Sequence, residues 1–526
     1  MRQPVAFGFA LAMAFAGCGS CEDVQQEIGE RSEQVQEQAA RLTEASEGLR
    51  NEAERFLDDE DVEDDIEASP PPPTREGNRA RLLTNGEAAY LERLRLIDEA
   101  EHSIFIQALI FKADVIGGEI ADRLIARKEA DPDLDIRIIV DAYANIQDYD
   151  AQMLYFELLA AGIDIQGYEP LYLEWIDEVD TGDWTAANKR YHEKYFIADG
   201  ARAVIGGMNI GDEYARIGED PALIWRDQDI YLEGPVVADV AAAFEENYRS
   251  FTRIHDRRPR LLETDAYWRA FRRVHPRLRE AVTETLGRER SWSRPEHSPF
   301  DEAALRARQV PSSLRENVDV QFIRSRPRLG ERWIAAAYQE EIEAAETSIV
   351  IQNAYFIPPQ DLLASLVEAS ERGVDVVVIT NSKATNDIPL INDAGRLHYE
   401  ALLSAGARVY EWHADQHDEG TLHSKFAVFD AETAIIGSYN LDPRSLRLNS
   451  EGVVVVRDGR LARELHRYVM DHDLALAAPI NAAQAEAWAD PELFPTPTLP
   501  SVPWWNPNFE ADRLELFLIA QAGRHL

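Results

Sequence analysis

The feature that leaves this chain the fewest folds to choose from is a repeat. EAEHSIFIQALIF (99–111) returns as AAETSIVIQNAYF (344–356), and LDIRIIVDA (134–142) returns as VDVVVITNS (374–382). LLAAGIDIQGYEP (158–170) returns as LLSAGARVYEW (402–412), and YHEKYFIADGARAVIGGMN (191–209) returns as LHSKFAVFDAETAIIGSYN (422–440). Four blocks in one order, the last without a gap, describe two homologous lobes rather than one irregular domain. Within each block short apolar, β-branched runs alternate with stretches of helical period. That pattern predicts an α/β fold, each lobe a mixed, mainly parallel sheet flanked by helices.

The last block also carries chemistry. His192 and Lys194, and again His423 and Lys425, stand two apart, and on a strand such pairs share a face. Asp199 and Asp430 close each strand at a turn. The chain returns through small residues to Asn209 and Asn440, each 17 positions beyond its histidine. Charges set in apolar strands cost several kcal/mol unless they pair or bind something. Brought together between the lobes, two His, two Lys and two Asn make an anion site suited to a phosphodiester. One imidazole is then a nucleophile at phosphorus and the other an acid for the leaving oxygen. Lysines and asparagines would steady the charge of the transition state. This scheme needs neither metal nor cofactor. A nucleophilic imidazole also needs a carboxylate at its far nitrogen. Glu451, at the head of NSEGVVVV, and Asp227, in WRDQDIYL, are the candidates, with Asp229 the competing choice in the first lobe.

The doubled H-x-K-x4-D with its downstream Asn resembles the phospholipase D superfamily. YHEKYFIADGARAVIGGMNIGDEY with DQDIYLEGPVV, and LHSKFAVFDAETAIIGSYNLDPRSLRLNSE, are similar to the two motifs of bacterial cardiolipin synthases. The second motif and ITNSKATNDIPLINDAGRLHYEALLSAGARVYE are similar in particular to the branch that uses phosphatidylethanolamine as co-substrate. The resemblance covers about residues 85–250 and 316–470. It implies a phosphohistidine on His192, with His423 as acid and then base, and transfer of a phosphatidyl group to a second lipid alcohol, water competing. It also implies Lys194, Lys425, Asn209 and Asn440 as phosphate ligands, Asp199 and Asp430 as supporting residues, and Asp227 and Glu451 as histidine partners. The expected partners are phospholipids of the phosphatidylglycerol, phosphatidylethanolamine or cardiolipin type, met at a membrane surface. The alternatives are a hydrolytic phospholipase D, a nuclease of the same superfamily, and a non-catalytic protein that binds anionic lipid.

The formal net charge of −41 argues against nucleic acid as a partner. Much of it lies between Glu22 and Glu67, where 18 acidic residues meet four arginines. This polar, Glu- and Gln-rich stretch reads as a helical stalk able to self-associate, followed by the stiff SPPPP spacer, Ser69–Pro73. Ahead of it, Arg2 and the 13-residue run VAFGFALAMAFAG have the form of an export signal. The run ends at Cys18, in a setting that resembles a lipobox. Lipidation at Cys18 predicts an exported lipoprotein on the periplasmic face of the outer membrane or elsewhere in the cell envelope. Cleavage after Ala16 or an uncleaved anchor are the other outcomes. Residues 249–308 hold 15 arginines, no lysine and nine acids, a surface for lipid headgroups or a salt-bridged connector. The expected division is a signal peptide at 1–17, stalk and linker at 18–73, and an N-terminal lobe at 74–250. An Arg-rich connector at 251–315, a C-terminal lobe at 316–475 and a C-terminal strap at 476–526 complete it.

Overall fold

The computed structural model describes residues 68–141, 149–168, 190–218, 224–257, 299–413 and 420–489. The expected signal peptide, Cys18, nearly all of the stalk, most of the Arg-rich connector and most of the C-terminal strap lie outside the described residues.

The N-terminal lobe runs β1 (Arg75–Leu83), α1 (Gly86–Glu99), β2 (Ser103–Ala108), α2 (Val115–Ala130), β3 (Asp135–Asp141), α3 (Tyr149–Ala160) and β4 (Asp164–Tyr168). It continues with the hairpin β5 (Tyr195–Ala198) and β6 (Arg202–Gly206), then β7 (Asp229–Glu233) and the long α4 (Val236–Arg257). The C-terminal lobe repeats this with β8 (Arg315–Ser325), α5 (Trp333–Ala344), β9 (Ser348–Asn353), α6 (Gln360–Glu371), β10 (Asp375–Asn381) and β11 (Arg408–Trp412). Its hairpin is β12 (Lys425–Phe429) and β13 (Thr433–Gly437), followed by β14 (Glu451–Arg457), α7 (Gly459–Asp471) and β15 (Ala477–Pro479). Side-chain caps mark the helix starts: Asn85 accepts from Ala88 N, Asp114 from Gly117 N, and Asp458 from Leu461 N.

Among the described residues, all 15 strands belong to one sheet. Reading outward from the β1–β8 pair, one side runs β1, β7, β6, β5, β2, β3, β4 and the other runs β8, β14, β13, β12, β9, β10, β11. The order is the same twice, with β15 added at one edge, so the duplication seen in the residues is also a duplication of topology. The lobes share the sheet through the antiparallel β1–β8 seam. One expectation needs correcting, that of a mainly parallel sheet. Only β2/β3, β3/β4, β9/β10 and β10/β11 are parallel, and the other neighbours run antiparallel. The helical crossovers supply the parallel triplets, whereas the motif strands return through tight turns, which only antiparallel pairs can use. Asp199 and Gly200 (φ 55° and 61°), and Asp430 and Ala431 (φ 51° and 52°), are the left-handed pairs of those turns.

The motif strands are buried on both faces. Tyr195 and Ile197 enter a core cluster shared by the two lobes, while Phe196 and Ala198 face the N-terminal lobe's own cluster. In the second lobe Phe426 and Val428 join the shared cluster, and Ala427 and Phe429 join the other. Burying each such side chain stabilises the fold by about 1.5–3 kcal/mol. The shared cluster therefore holds the two halves of the site in one register.

Three expected segments are woven into the lobes. A short helix, Glu302–Arg308, belongs to the N-terminal lobe, where Glu302 pairs with Arg123 at 2.7 Å. β15 pairs with β11, and Trp488 lies under the Arg396 guanidinium, 4.2 Å from ring centre to carbon. Ser69 donates from its backbone to Glu331 at 2.9 Å, and Gln321 donates to Pro72 O at 3.0 Å. The end of the proline-rich spacer is thus laid on the body of the protein.

Candidate active site

Each histidine sits just ahead of its strand, where the backbone stops pairing within its own lobe and pairs with the other. His192 N donates to Ser450 O at 2.8 Å, and His423 N donates to Arg226 O at 2.8 Å. The motif lies at the mouth of the strand because this exchange takes over from the sheet ladder. Lys194 Nζ turns back to His192 O at 2.6 Å, and Lys425 Nζ does the same to His423 O. Histidine and lysine therefore share a side, as the i, i+2 spacing predicts.

The carboxylates cross. His192 Nδ1 lies 2.9 and 3.0 Å from the two oxygens of Glu451, which belongs to the other lobe. His423 Nδ1 lies 2.6 Å from Asp227 Oδ2, again across the interface. Asp227 rather than Asp229 faces the site, since Asp229 is taken by Arg93 at 2.5 Å. A neutral imidazole against a carboxylate donates from Nδ1, which leaves the Nε2 lone pair for the pocket. Burial pushes the His192 pKa down to about 4 and His423 well below the usual imidazole range. Burial thus favours the neutral form of both rings.

The two carboxylates are not equally held. Burial pushes the Asp227 carboxyl up to about 6, even with Lys425 near and the Gln228 N–H donating at 2.7 Å. Burial acts on Glu451 in the same direction but is outweighed by His192, Lys194 and Ser438, so its pKa falls. Ser438 Oγ, Ser445 Oγ (2.8 Å) and Asn449 Nδ2 (3.3 Å) all donate to it. Burial also brings Lys194 down to about 7 and Lys425 to about 8. A bound anion would restore their charge, so the site stores a demand for negative charge.

Asn440 places a side-chain oxygen in the interior without a hydrogen-bond partner among the described residues. Asn209 is more firmly held, accepting from Ile110 N at 3.2 Å and donating to Tyr214 Oη at 2.8 Å. Asp199 and Asp430 depart from the rest of the set. They sit at the far ends of β5 and β12, roughly 20 Å along the chain from their histidines at strand rise. Asp199 Oδ1 accepts from the N–H groups of Glu101, His102 and Ser103 at 3.0, 2.7 and 3.1 Å. Asp430 does likewise with Glu346, Thr347 and Ser348. They tie the hairpin turn to the start of the neighbouring strand and belong to the frame of the lobe.

Several supporting residues escaped the sequence reading. Glu193, turned away from the pocket, is buried and accepts from Gln107 and Asn247 at 2.8 and 3.0 Å. In the other lobe Ser424 and Gln352 take the places of Glu193 and Gln107, and their side chains find no partner among the described residues. Arg226 and Asp473, both fully buried, pair across the lobes at 2.7 Å directly behind Asp227. In the GG of AVIGG, a Cβ on Gly207 would come within 2.8 Å of Asp227 Oδ1, and one on Gly206 within 1.8 Å of Asp229 Oδ1. Ser438, the counterpart of Gly207, instead donates to Glu451. Only the small-residue pattern hinted at any of these. Among the described residues no group of three or more His, Cys, Asp or Glu is placed to hold a metal ion.

Comparison with known proteins meets the same residues. A family model described as "Cardiolipin synthase, PLD-like domain" matches residues 94–247 and 338–473, spanning both motifs. The chain is 27% identical to "Cardiolipin synthase 1" of Bacillus anthracis over 398 residues, 75% of this chain and 66% of that one. It therefore spans somewhat less than two thirds of that relative. It is 26% identical to "Cardiolipin synthase B" of Shigella flexneri over 432 residues, 82% of this chain and 86% of that one. Among solved structures, a phosphatidylserine synthase from Haemophilus influenzae Rd KW20 matches with a TM-score of 0.54 at 19% identity, covering 76% of this chain and 87% of that one. With a matched model spanning more than half its residues and both halves of the site, the chain belongs to the cardiolipin synthase, PLD-like domain family.

Proposed function

We propose that the protein is a phosphatidyltransferase acting on membrane phospholipid phosphodiesters through a phosphohistidine intermediate, in the manner of a cardiolipin synthase. The observation that carries this reading is the pair of neutral imidazoles. Each is clamped at Nδ1 by the opposite lobe's carboxylate, and two depressed lysines lie beside them. The names of the relatives support the same reading. His192 Nε2 attacks phosphorus, and the bond from phosphorus to the headgroup oxygen breaks. The negative charge of the bound phosphodiester favours a second proton on His423, at Nε2; that proton passes to the oxygen, and the headgroup leaves as an alcohol. His423 then takes the proton of an entering lipid hydroxyl, which attacks phosphorus as the bond to His192 breaks. Glu451, the more firmly ionised carboxylate, supports His192 as the nucleophile. Asp227, whose pKa stands near 6, suits a histidine that exchanges protons. Lys194, Lys425, Asn209 and Asn440 would hold the phosphate oxygens, each contributing about 3–4 kcal/mol if it acts like an oxyanion donor. Phosphatidylglycerol and phosphatidylethanolamine are the proposed substrates, with water as the competing acceptor.

The N-terminal reading stands beside this as a proposal: an exported protein lipidated at Cys18, meeting its substrate at a membrane surface and able to self-associate through the acidic stalk. No helix among the described residues is long and apolar enough to cross a membrane.

The test is to incubate the purified full chain with phosphatidylglycerol and phosphatidylethanolamine in mixed micelles and follow products by lipid mass spectrometry. Cardiolipin that disappears in His192→Ala establishes the transferase. Phosphatidic acid alone makes the protein a hydrolase, and no lipid turnover overturns the reading.

A further inference from the structure

The reaction centre is doubled, yet its two walls differ at equivalent described positions. On the His423 side stand Trp225 and Tyr214, with ring centres 5.1 and 5.3 Å from the imidazole. Trp225 and Tyr214 meet edge to face, 4.8 Å apart. Beyond them Tyr355 donates its hydroxyl to both oxygens of Asp387, at 2.7 and 2.8 Å. Asp387 is exposed, and its negative charge is felt at both His423 and Lys425. The repeat offers a control. The positions equivalent to Trp225, Tyr214 and Tyr355 are Asn449, Ser445 and Ile110. Asn449 Nδ2 and Ser445 Oγ donate to Glu451. On the His192 side the described residues add two guanidinium groups and the buried Asp141 carboxylate. Arg190 is buried with Nε 3.6 Å from Asp141, and Arg444 is close enough to Arg190 to be repelled by it. Among the described residues, aromatic rings and an exposed carboxylate gather on the His423 side, and Asn449, Ser445 and Ile110 stand at the positions equivalent to the three rings.

In-line displacement makes this asymmetry functional. If His192 attacks phosphorus, the leaving oxygen lies opposite it, against His423, and the entering alcohol later takes the same place. The His423 wall is therefore the one that sees headgroups. We propose that Asp387, Tyr355, Trp225 and Tyr214 form a subsite for an alcohol carrying an ammonium group, such as the ethanolamine headgroup of a phospholipid. The carboxylate would pair with the ammonium, and the ring faces would receive the positively polarised methylenes beside it. Tyr355 serves as a positioning residue that aims the carboxylate. This inference rests on the phosphatidyltransferase reading and names which headgroups that site selects.

The full chain is assayed on phosphatidylethanolamine and on phosphatidylglycerol of the same acyl composition, in nonionic mixed micelles. The quantity read is the ratio of kcat/KM for the two donors. Asp387→Asn should lower the ethanolamine-to-glycerol ratio about tenfold or more, and Asp387→Lys should lower it further. Tyr355→Phe should move it in the same direction by less, chiefly through KM. In the reverse arm, free ethanolamine offered as acceptor to phosphatidylglycerol should lose ground to glycerol in the same variants. A ratio that stays within about twofold of wild type in both Asp387 variants, including the case where both donors weaken equally, overturns the subsite. A wild-type protein that turns over neither donor overturns the transferase reading and the subsite with it, a result distinct from an unchanged ratio.

Discussion

The crossed carboxylates make Glu451→Gln the most informative substitution. The shape is kept, but the carboxylate that accepts from His192 Nδ1, Ser438, Ser445 and Asn449 becomes an amide with one acceptor oxygen. Four donors then compete for one oxygen, and the new NH2 faces groups that are donors themselves. His192 loses the partner that fixes its tautomer, so Nε2 is no longer reliably the lone pair presented to phosphorus. The loss of a tautomer-fixing carboxylate in a comparable His-based site costs about 10⁴-fold in kcat, or roughly 5.4 kcal/mol at 1.36 kcal/mol per decade. Lys194 also loses a counter-charge, so its pKa, already about 7, falls further and phosphate binding weakens. The assay is single turnover on an activated phosphodiester, whose leaving group needs no acid, with an alkaline quench to preserve phosphohistidine. Glu451→Gln should form no adduct on His192. Asp227→Asn should let the adduct accumulate, because only the second step then needs His423. A Glu451→Gln protein within tenfold of wild type, or one that accumulates adduct while Asp227→Asn forms none, would refute the assignment of carboxylates to histidines.

The remaining expectations concern the frame and the pH response. Because His192 is held neutral down to about pH 4 while the unfolded chain protonates it near 6.5, the unfolded state binds more protons in that window. Stability should therefore fall as pH drops from 6.5 toward 4, by about 3 kcal/mol from this residue. Urea denaturation at the two pH values should show a smaller fall in His192→Gln. Asp473→Asn strands the fully buried Arg226 and should cost about 3–5 kcal/mol, read as a lowered Tm, whereas replacing both partners with apolar residues should recover most of it. Asp199→Ala removes an acceptor of three backbone N–H groups and should destabilise the fold by about 1–3 kcal/mol. The activity per folded molecule should change by less than about threefold, which separates Asp199 from His192 and Lys194.

What was legible in the residues was whatever repeats locally. The block order predicted two lobes, and the i, i+2 spacing predicted that each lysine lies beside its histidine. The choice of Asp227 over Asp229 came from aligning the two repeats, since Asp227 is the position equivalent to Glu451. The pairing of His192 with Glu451 spans 259 residues and that of His423 with Asp227 spans 196, so no period in the chain could show that they cross. The excess of antiparallel pairs was hidden because runs such as AVIGG and VVVV are equally apolar in either orientation once both faces are buried. Asp199 and Asp430 recur as faithfully as the histidines, so repetition alone grouped them with the chemistry. Their backbone partners show instead that a residue can recur because a turn requires it. The proposed headgroup wall lay out of reach for the opposite reason: Trp225, Tyr214 and Tyr355 are where the two repeats differ.

The shared sheet also bears on how a bulky lipid enters. Two lobes joined by a flexible strap can part like jaws, but here backbone ladders run from one lobe into the other through β1 and β8. Opening the interface would tear hydrogen bonds and expose the shared apolar cluster, a cost on the scale of global unfolding. The reaction chamber is therefore a fixed mould, and admission falls to the segments at its rim. Grafted variation in those segments should change which lipids are admitted without disturbing the vault beneath them.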